Sequence, residues 1–232
     1  MGWVLLLDFD GTVTPIDVGP LILSRFAGDR WIALNEAWDR GELTTAERAE
    51  GQWATVEADG AAVHALLDRV PLDPHFPALV DYCRGRHIPL WIVSDGFDFY
   101  IERILANHRL TGIVVLSNRA RWSDGRWRLE FPHPDGRGEP AGSWKADVVR
   151  QFQAKGARVV YAGDGLSDRA AIEAADGRFA KGKLADYCRT QGIPFLPFES
   201  LVEIHAGLRV LVEMEEGPDP GGAPEGEQSW AR

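Results

Sequence analysis

The sequence predicts an α/β fold: a doubly wound parallel sheet with helices on both faces and one large helical insertion. Three observations lead there. Four short runs, Trp3 to Phe9, Ile88 to Ser94, Ile113 to Ser117 and Ala157 to Ala162, have the length and near-continuous hydrophobicity of strands buried on both faces. Segments with helical periodicity alternate with them, and strand–helix alternation implies parallel pairing through right-handed crossovers. Between the first two runs lies a detour, roughly Pro15 to Pro74, with no strand pattern and too long for a loop.

The first run ends in Asp8-Phe9-Asp10-Gly11-Thr12. Two carboxylates two residues apart on an extended chain point to the same side. In open α/β sheets, chemistry gathers at the carboxyl ends of strands. Two anions held together in a half-buried turn repel, so the place calls for a cation, a proton or a catalytic task. Asp-Gly is also a common turn dipeptide. It recurs at Asp59-Gly60, Asp95-Gly96, Asp124-Gly125, Asp135-Gly136, Asp164-Gly165 and Asp176-Gly177, so this stretch alone reads more readily as a plain turn.

Within the detour, Thr44-Thr45-Ala46-Glu47 has the form of a helix start, with Thr as cap and Glu three residues on. Trp31, Leu34 and Trp38 recur at helical spacing, as do Val63, Leu66, Leu67 and Val70. The detour springs from the end of the first strand, directly above Asp8 and Asp10, so it predicts a helical cap over the site. Trp31, Trp38 and Trp53 read as the core of that cap rather than as a substrate wall.

Further on, helical patterns run from His75 to Arg86, Asp98 to Asn107 and Trp144 to Lys155. Residues Arg121 to Phe131 alternate around Ser123-Asp124-Gly125-Arg126, a hairpin signature. Pro132 to Gly142 reads as a loop, and shorter strands follow at Arg178 to Ala180 and Pro194 to Pro197. From Gly217 onward Pro and Gly recur without apolar periodicity, so a disordered tail is expected. The expected organisation is a core of residues 1–15 and 75–216, a cap of residues 16–74 and a tail of residues 217–232.

Composition narrows the function classes. With 232 residues, 45% hydrophobic and 26% charged, the chain has the balance of an ordinary soluble globule. No run approaches the roughly 18 apolar residues of a membrane span. The chain starts inside a strand, which leaves no room for a charged leader, and a cytoplasmic protein with no membrane partner is expected. A net charge of −10 and a pI near 5.1 argue against a nucleic-acid partner. Cys83 and Cys188 are too few for a disulfide framework or a zinc site, and read as buried thiols. The 21 arginines outnumber 4 lysines, which makes a lysine at a chosen position informative. Nothing in the sequence speaks to oligomeric state.

Three more pieces fall near strand ends. Ser94-Asp95-Gly96 follows the second strand and leads into a helix, whose first amides are suited to an anion. Gly163-Asp164-Gly165-Leu166-Ser167-Asp168 follows the strand at Val159 to Ala162, and Lys145 opens a helix just upstream. Singly, Ser94 is a helix cap, Asp164 and Asp168 a turn residue and a cap, and Lys145 a surface lysine. Together they give a divalent-metal and phosphate site at one sheet edge, and oxygen-rich carboxylate sites with a bound phosphoryl group suit Mg²⁺.

In order and spacing, Asp8-Phe9-Asp10-Gly11-Thr12, Ser94, Lys145 and Gly163-Asp164…Asp168 resemble the four motifs of the haloacid dehalogenase superfamily phosphatases, from about Trp3 to Leu196. The insertion resembles the C1 cap of subfamily IB, as in phosphoserine phosphatases. A closer likeness is to the 2-hydroxy-3-keto-5-methylthiopentenyl-1-phosphate phosphatases of methionine salvage. It is carried by Ser117-Asn118-Arg119-Ala120, Phe131-Pro132-His133, Phe179-Ala180-Lys181 and Leu196-Pro197-Phe198. That family often has a Cys-rich insertion before the motif lysine, and Pro134 to Trp144 contains no Cys.

The resemblance implies a Rossmann-like core and a phosphatase acting on a small phosphorylated metabolite. It implies that Asp8 is the nucleophile of a phosphoaspartyl intermediate. Mg²⁺ would be held by Asp8, Asp164 and the backbone carbonyl of Asp10. Lys145 would add a second positive charge, and Ser94 with the amides of Asp95 and Gly96 would hold the other phosphate oxygens. Asp10 would be general acid and then general base, a role that separates phosphatases from dehalogenases, and Asp168 would orient metal-bound water or Lys145. Asp17 matches the acidic position with which phosphoserine phosphatases meet the substrate amino group, and reads equally as a helix cap. Arg48 would meet a carboxylate or polar group from the cap, where a solvated helix charge is the plainer reading. Other readings of the same residues are a phosphoserine phosphatase, a phosphotransferase passing the phosphoryl group to a second substrate, and a non-catalytic binding module.

Overall fold

Alternation along one buried strand sets the architecture. Strand β1, Trp3–Leu7, is buried at every residue. Trp3, Leu5 and Leu7 join one apolar cluster, while Val4 and Leu6 join a second on the opposite face. A strand buried on both sides needs layers on both sides, and the chain supplies them. The computed structural model describes residues 2–133 and 141–216. The expected tail at 217–232 and most of the expected loop at 132–142 lie outside those residues.

Seven strands form one sheet in the order β4-β3-β2-β1-β5-β6-β7. The others are β2 (Leu90–Phe97), β3 (Val114–Ser123), β4 (Arg126–Glu130), β5 (Arg158–Gly163), β6 (Gly177–Ala180) and β7 (Leu196–Pro197). Neighbours pair in parallel except β3 with β4. The chain turns left from β1 into β2 and β3 and resumes on β1's other side at β5, so β1 lies at the switch point where such sheets bind ligands. The doubly wound reading is borne out.

One face carries α5 (Phe76–Gly85), α6 (Asp98–Asn107) and α10 (Leu201–Glu216), whose Phe76, Ile101 and Leu208 are fully buried against Leu5 and Ile92. The other carries α7 (Ser143–Ala154), α8 (Arg169–Ala174) and α9 (Gly182–Gln191), packed on Leu6, Val159 and Tyr161. Each fully buried leucine or isoleucine of these layers is worth about 1.5–3 kcal/mol. Cys83 and Cys188 are buried free thiols within them.

Several expected boundaries shift. β1 stops at Leu7, because Phe9 already accepts the turn bonds from Thr12 and Val13. β2 runs past Ser94 to Phe97, with a break in register against β3 between Val93 and Phe97. β3 does not end at Ser117 but continues into the hairpin, paired from Arg119↔Glu130 to Ser123↔Arg126. Asp124 and Gly125 both take positive φ, as a two-residue hairpin turn requires.

Between β1 and β2 lie four helices: α1 (Val18–Phe26), α2 (Arg30–Asp39), α3 (Thr45–Trp53) and α4 (Gly60–Leu67). Helix α3 starts as its sequence predicts: Thr44 Oγ1 accepts from the Glu47 amide at 3.2 Å and the Thr44 amide donates to Glu47 at 2.8 Å. The insertion shares the core of the sheet. Trp53 meets Phe97, Phe99 and Trp127 edge-on, with ring centroids 5.0, 5.6 and 5.2 Å away, and Val63 and Leu67 are fully buried in the same cluster. Below them, Arg103 of α6 grips Asp68 with bonds of 2.8 and 2.9 Å.

Candidate active site

The carboxyl ends of β1, β2 and β5 converge on one cavity of about 460 Å³, lined by Asp8, Ser94, Lys145 and Asp164. β1 delivers Asp8, which is 6% exposed. Helix α7 delivers Lys145, whose side chain has no exposure, 3.1 Å from Asp8 Oδ1 and 2.8 Å from Asp168 Oδ1. Burying an ammonium is costly unless carboxylates surround it, and three do, since Asp95 Oδ2 lies 3.7 Å away.

Asp168 is the anchor of this group. Its Oδ1 also accepts from Tyr161 Oη at 2.7 Å, and its Oδ2 accepts the amides of Asp164 and Gly165 at 3.2 and 3.1 Å. Gly163 permits the approach, because a Cβ there would lie 2.4 Å from Asp168 Oδ2. Asp164 leans the other way, accepting from Thr12 Oγ1 at 3.2 Å. Asp8, Asp164 and Asp168 can each place one oxygen within 4.8 Å of the others.

Asp10 lines the same cavity but takes its side-chain partners from outside the Lys145 group. Its Oδ1 accepts the Val18 amide, the first of α1, at 2.6 Å, and its Oδ2 accepts from Tyr100 Oη of α6 at 2.6 Å. The expectation that Asp10 shares the metal site therefore concerns its backbone, while its side chain bridges the insertion and the core.

Electrostatics follow from this burial. Desolvation first, and then Asp168, raise Asp8 well above the usual carboxylate range, with Lys145 opposing. Burial, with Asp168 and Asp17 adding to it, pushes Asp164 up to about 7. Burial pushes Asp10 up to about 6, while the bonds from Tyr100 and Val18 hold it down. Burial would lower Lys145, but Asp168 and Asp8 outweigh it and keep the ammonium charged. Without a cation, such a set of carboxyls resists ionising together. A divalent ion bound by oxygen ligands is the group this donor set fits.

Ser94, Asp95 and Gly96 occupy the register break of β2, not the first turn of a helix: α6 begins at Asp98. Ser94 Oγ accepts the Gly96 amide at 3.0 Å. Asp95 is held by Trp144, whose Nε1 donates to Oδ1 at 2.8 Å, and by Asn118, whose side chain donates to its carbonyl at 2.8 Å.

The insertion walls the rest of the cavity. Asp17 holds the N-cap position of α1 but makes no capping bond, and it lines the cavity. Arg48 sits over Trp38, its guanidinium carbon 4.1 Å from the ring centroid, and also lines the cavity. Trp31, Trp38 and Trp53 all reach the same space, so the expectation of cap core alone is corrected: Trp53 is buried core and wall at once. Sequence reasoning missed Tyr100, Tyr161, Thr12 and Trp144. Thr12 sits in the first motif's own turn and Tyr161 on the strand that ends at Asp164, so position could have found them. Tyr100 offers no such signal.

Over residues 5–173 the chain matches the family of haloacid dehalogenase-like hydrolases. The chain belongs to this family. Among its relatives, the 2-hydroxy-3-keto-5-methylthiopentenyl-1-phosphate phosphatase of Bacillus pumilus is 25% identical over 92% of this chain and 94% of its own length. Pdp3-interacting factor 1 of Schizosaccharomyces pombe is 28% identical over 88% of this chain and 93% of its own length. A solved substrate-bound phosphoserine phosphatase complex shares the fold, with a TM-score of 0.69 at 17% identity, covering 88% of this chain and 97% of the other. Family and curated relatives agree on phosphatase as the class of enzyme. No helix among the described residues is long and apolar enough to cross a membrane.

Proposed function

We propose that the chain is a Mg²⁺-dependent phosphomonoesterase that hydrolyses a small phosphorylated metabolite through a phosphoaspartyl intermediate on Asp8. The observation that carries this reading is the buried contact of Asp8 with Lys145 beside Asp164, in a cavity that the insertion also lines. Magnesium, held by Asp8, Asp164 and the backbone carbonyl of Asp10, would mask the negative charge that otherwise keeps a carboxylate from a phosphate.

The residues divide the remaining work. Asp8 presents an oxygen to phosphorus, and its bond to Lys145 fixes that oxygen's direction. Lys145 offsets the charge of the phosphoryl oxygens, and the Ser94 hydroxyl and the Asp95 amide donate to them, while the Gly96 amide, expected to join them, holds Ser94 Oγ in place. Asp10 gives its proton to the departing alkoxide and later takes one from the water that cleaves the phosphoaspartate. A carboxyl that titrates near 6 can do both. Asp168 takes no proton in this scheme; it holds Lys145 in place.

We further assign residues 16–74 as the cap, with Asp17, Arg48 and the tryptophans meeting the organic part of the ester. The rings of Trp31, Trp38 and Trp53 give an ester with a methylthio or similar tail an apolar surface, beside the charged Asp17 and Arg48 that would meet its polar groups. The reading therefore favours 2-hydroxy-3-keto-5-methylthiopentenyl-1-phosphate, which the names of several relatives support. It goes with a cytoplasmic protein working without nucleic acid or membrane. A panel of phosphate esters assayed with Mg²⁺ tests it: release of free phosphate without an acceptor is expected, and phosphate that appears only when an acceptor alcohol is converted would make the protein a phosphotransferase.

A further inference from the structure

Tyr100 is 1% exposed, and its ring is enclosed by Phe9, Phe97 and Phe99, with centroids 6.4, 6.5 and 5.5 Å away. Its hydroxyl donates to Asp10 Oδ2 at 2.6 Å. The space for that hydroxyl exists because residue 96 is glycine: a Cβ there would lie 1.9 Å from the Tyr100 oxygen and 2.8 Å from Asp10 Oδ2. From the opposite side the Val18 amide donates to Oδ1 at 2.6 Å. Each oxygen of Asp10 thus has one donor, which fixes the carboxyl plane and leaves a lone pair on each oxygen for a proton in flight.

We propose that Tyr100 is a positioning residue that aims Asp10 at the leaving oxygen of the ester. The proposal rests on the reading of Asp10 as general acid. A proton donor is effective only within hydrogen-bond reach of its acceptor, and a carboxyl free to turn about two bonds spends much of its time elsewhere. Val18 belongs to the insertion and Tyr100 to the core. With only the Val18 bond left, the carboxyl would follow α1 and no longer the sheet.

The test is the dependence of kcat/KM on the leaving group, read from p-nitrophenyl phosphate to simple alkyl phosphates. p-Nitrophenolate departs without a proton, whereas an alkoxide needs one. Tyr100→Phe should lose about tenfold or more on alkyl esters and less than about threefold on p-nitrophenyl phosphate, part of the roughly 10²–10⁴-fold that a general acid supplies. Asp10→Asn should show the same steepening in stronger form. Equal losses by Tyr100→Phe on every ester, with Asp10→Asn steep, would overturn the positioning role alone. No steepening in Asp10→Asn would overturn the general-acid reading on which it rests. Should Tyr100→Phe fail to fold, 3-fluorotyrosine at position 100 retains the donor. It should keep the shallow dependence of the wild type, and a steep dependence there would overturn the proposal equally.

Discussion

Lys145 Nζ lies 2.8 Å from Asp168 Oδ1, and neither side chain has any solvent exposure. The pair is the pivot of the site: Asp168 receives four hydrogen bonds, one of them from Lys145, which in turn reaches Asp8. Removing the acid leaves a buried ammonium with a weaker set of partners. Asp168→Asn should therefore cost stability as well as rate, on the order of 3–5 kcal/mol for breaking a buried pair. Urea unfolding in Mg²⁺ buffer measures it. A change within about 0.5 kcal/mol, as for a surface substitution, would show that the pair is not the pivot.

The metal-free protein should lose stability as pH rises. Asp10 and Asp164 are raised to about 6 and about 7 in the folded chain, against about 4 when unfolded. Between those values the folded state holds protons that the unfolded state has released, so stability falls from about pH 4 to about pH 7. Melting in chelator across that range should show the decline. Mg²⁺ at a hundredfold excess over its Kd should add about 2.7 kcal/mol and restore activity. A melting temperature indifferent to both pH and chelator would exclude the carboxylate cluster as a metal site.

How much of this was legible beforehand can be judged residue by residue. Asp8, Ser94 and Asp164 meet where their strand-end positions predicted, because a parallel sheet forces the carboxyl ends of adjacent strands together, and Lys145 joins them from the first turn of α7. The hairpin at Asp124-Gly125 and the cap of α3 at Thr44 were readable because each depends on a few neighbouring residues. The partners of Asp10 and Asp95 were not. Tyr100 and Trp144 reach them across 90 and 49 residues of sequence, and no local pattern encodes such a meeting. The helix from Asp98 to Asn107 was readable from its periodicity, but the continuation of β2 past Ser94 was not, since it runs through a break in register that only pairing with β3 reveals.

Trp53 joins the insertion to the sheet layer through three aromatic contacts, and its truncation should be felt in the whole fold. Trp53→Ala should destabilise by about 3–5 kcal/mol in a single cooperative transition. A second, earlier transition confined to the insertion would mean that the cap has a core of its own.

Asp17 carries a specificity prediction. It lines the cavity without capping α1, so Asp17→Ala should change the preference among phosphate esters more than it changes turnover of p-nitrophenyl phosphate, mainly through KM. Equal losses on all substrates would place Asp17 with the metal site, which its charge already reaches through Asp164.

The nucleophile is open to direct observation. Acid quenching during turnover of a phosphate ester, followed by borohydride reduction and peptide mass spectrometry, should convert residue 8 from aspartate to homoserine in the wild type. Asp8→Asn should show no such product and less than about one per cent of the activity. Phosphoryl transfer to Asp8, seen as homoserine at that position alone, is the predicted result. An unmodified Asp8 in an enzyme trapped at full turnover, or substantial turnover by Asp8→Asn, would contradict it.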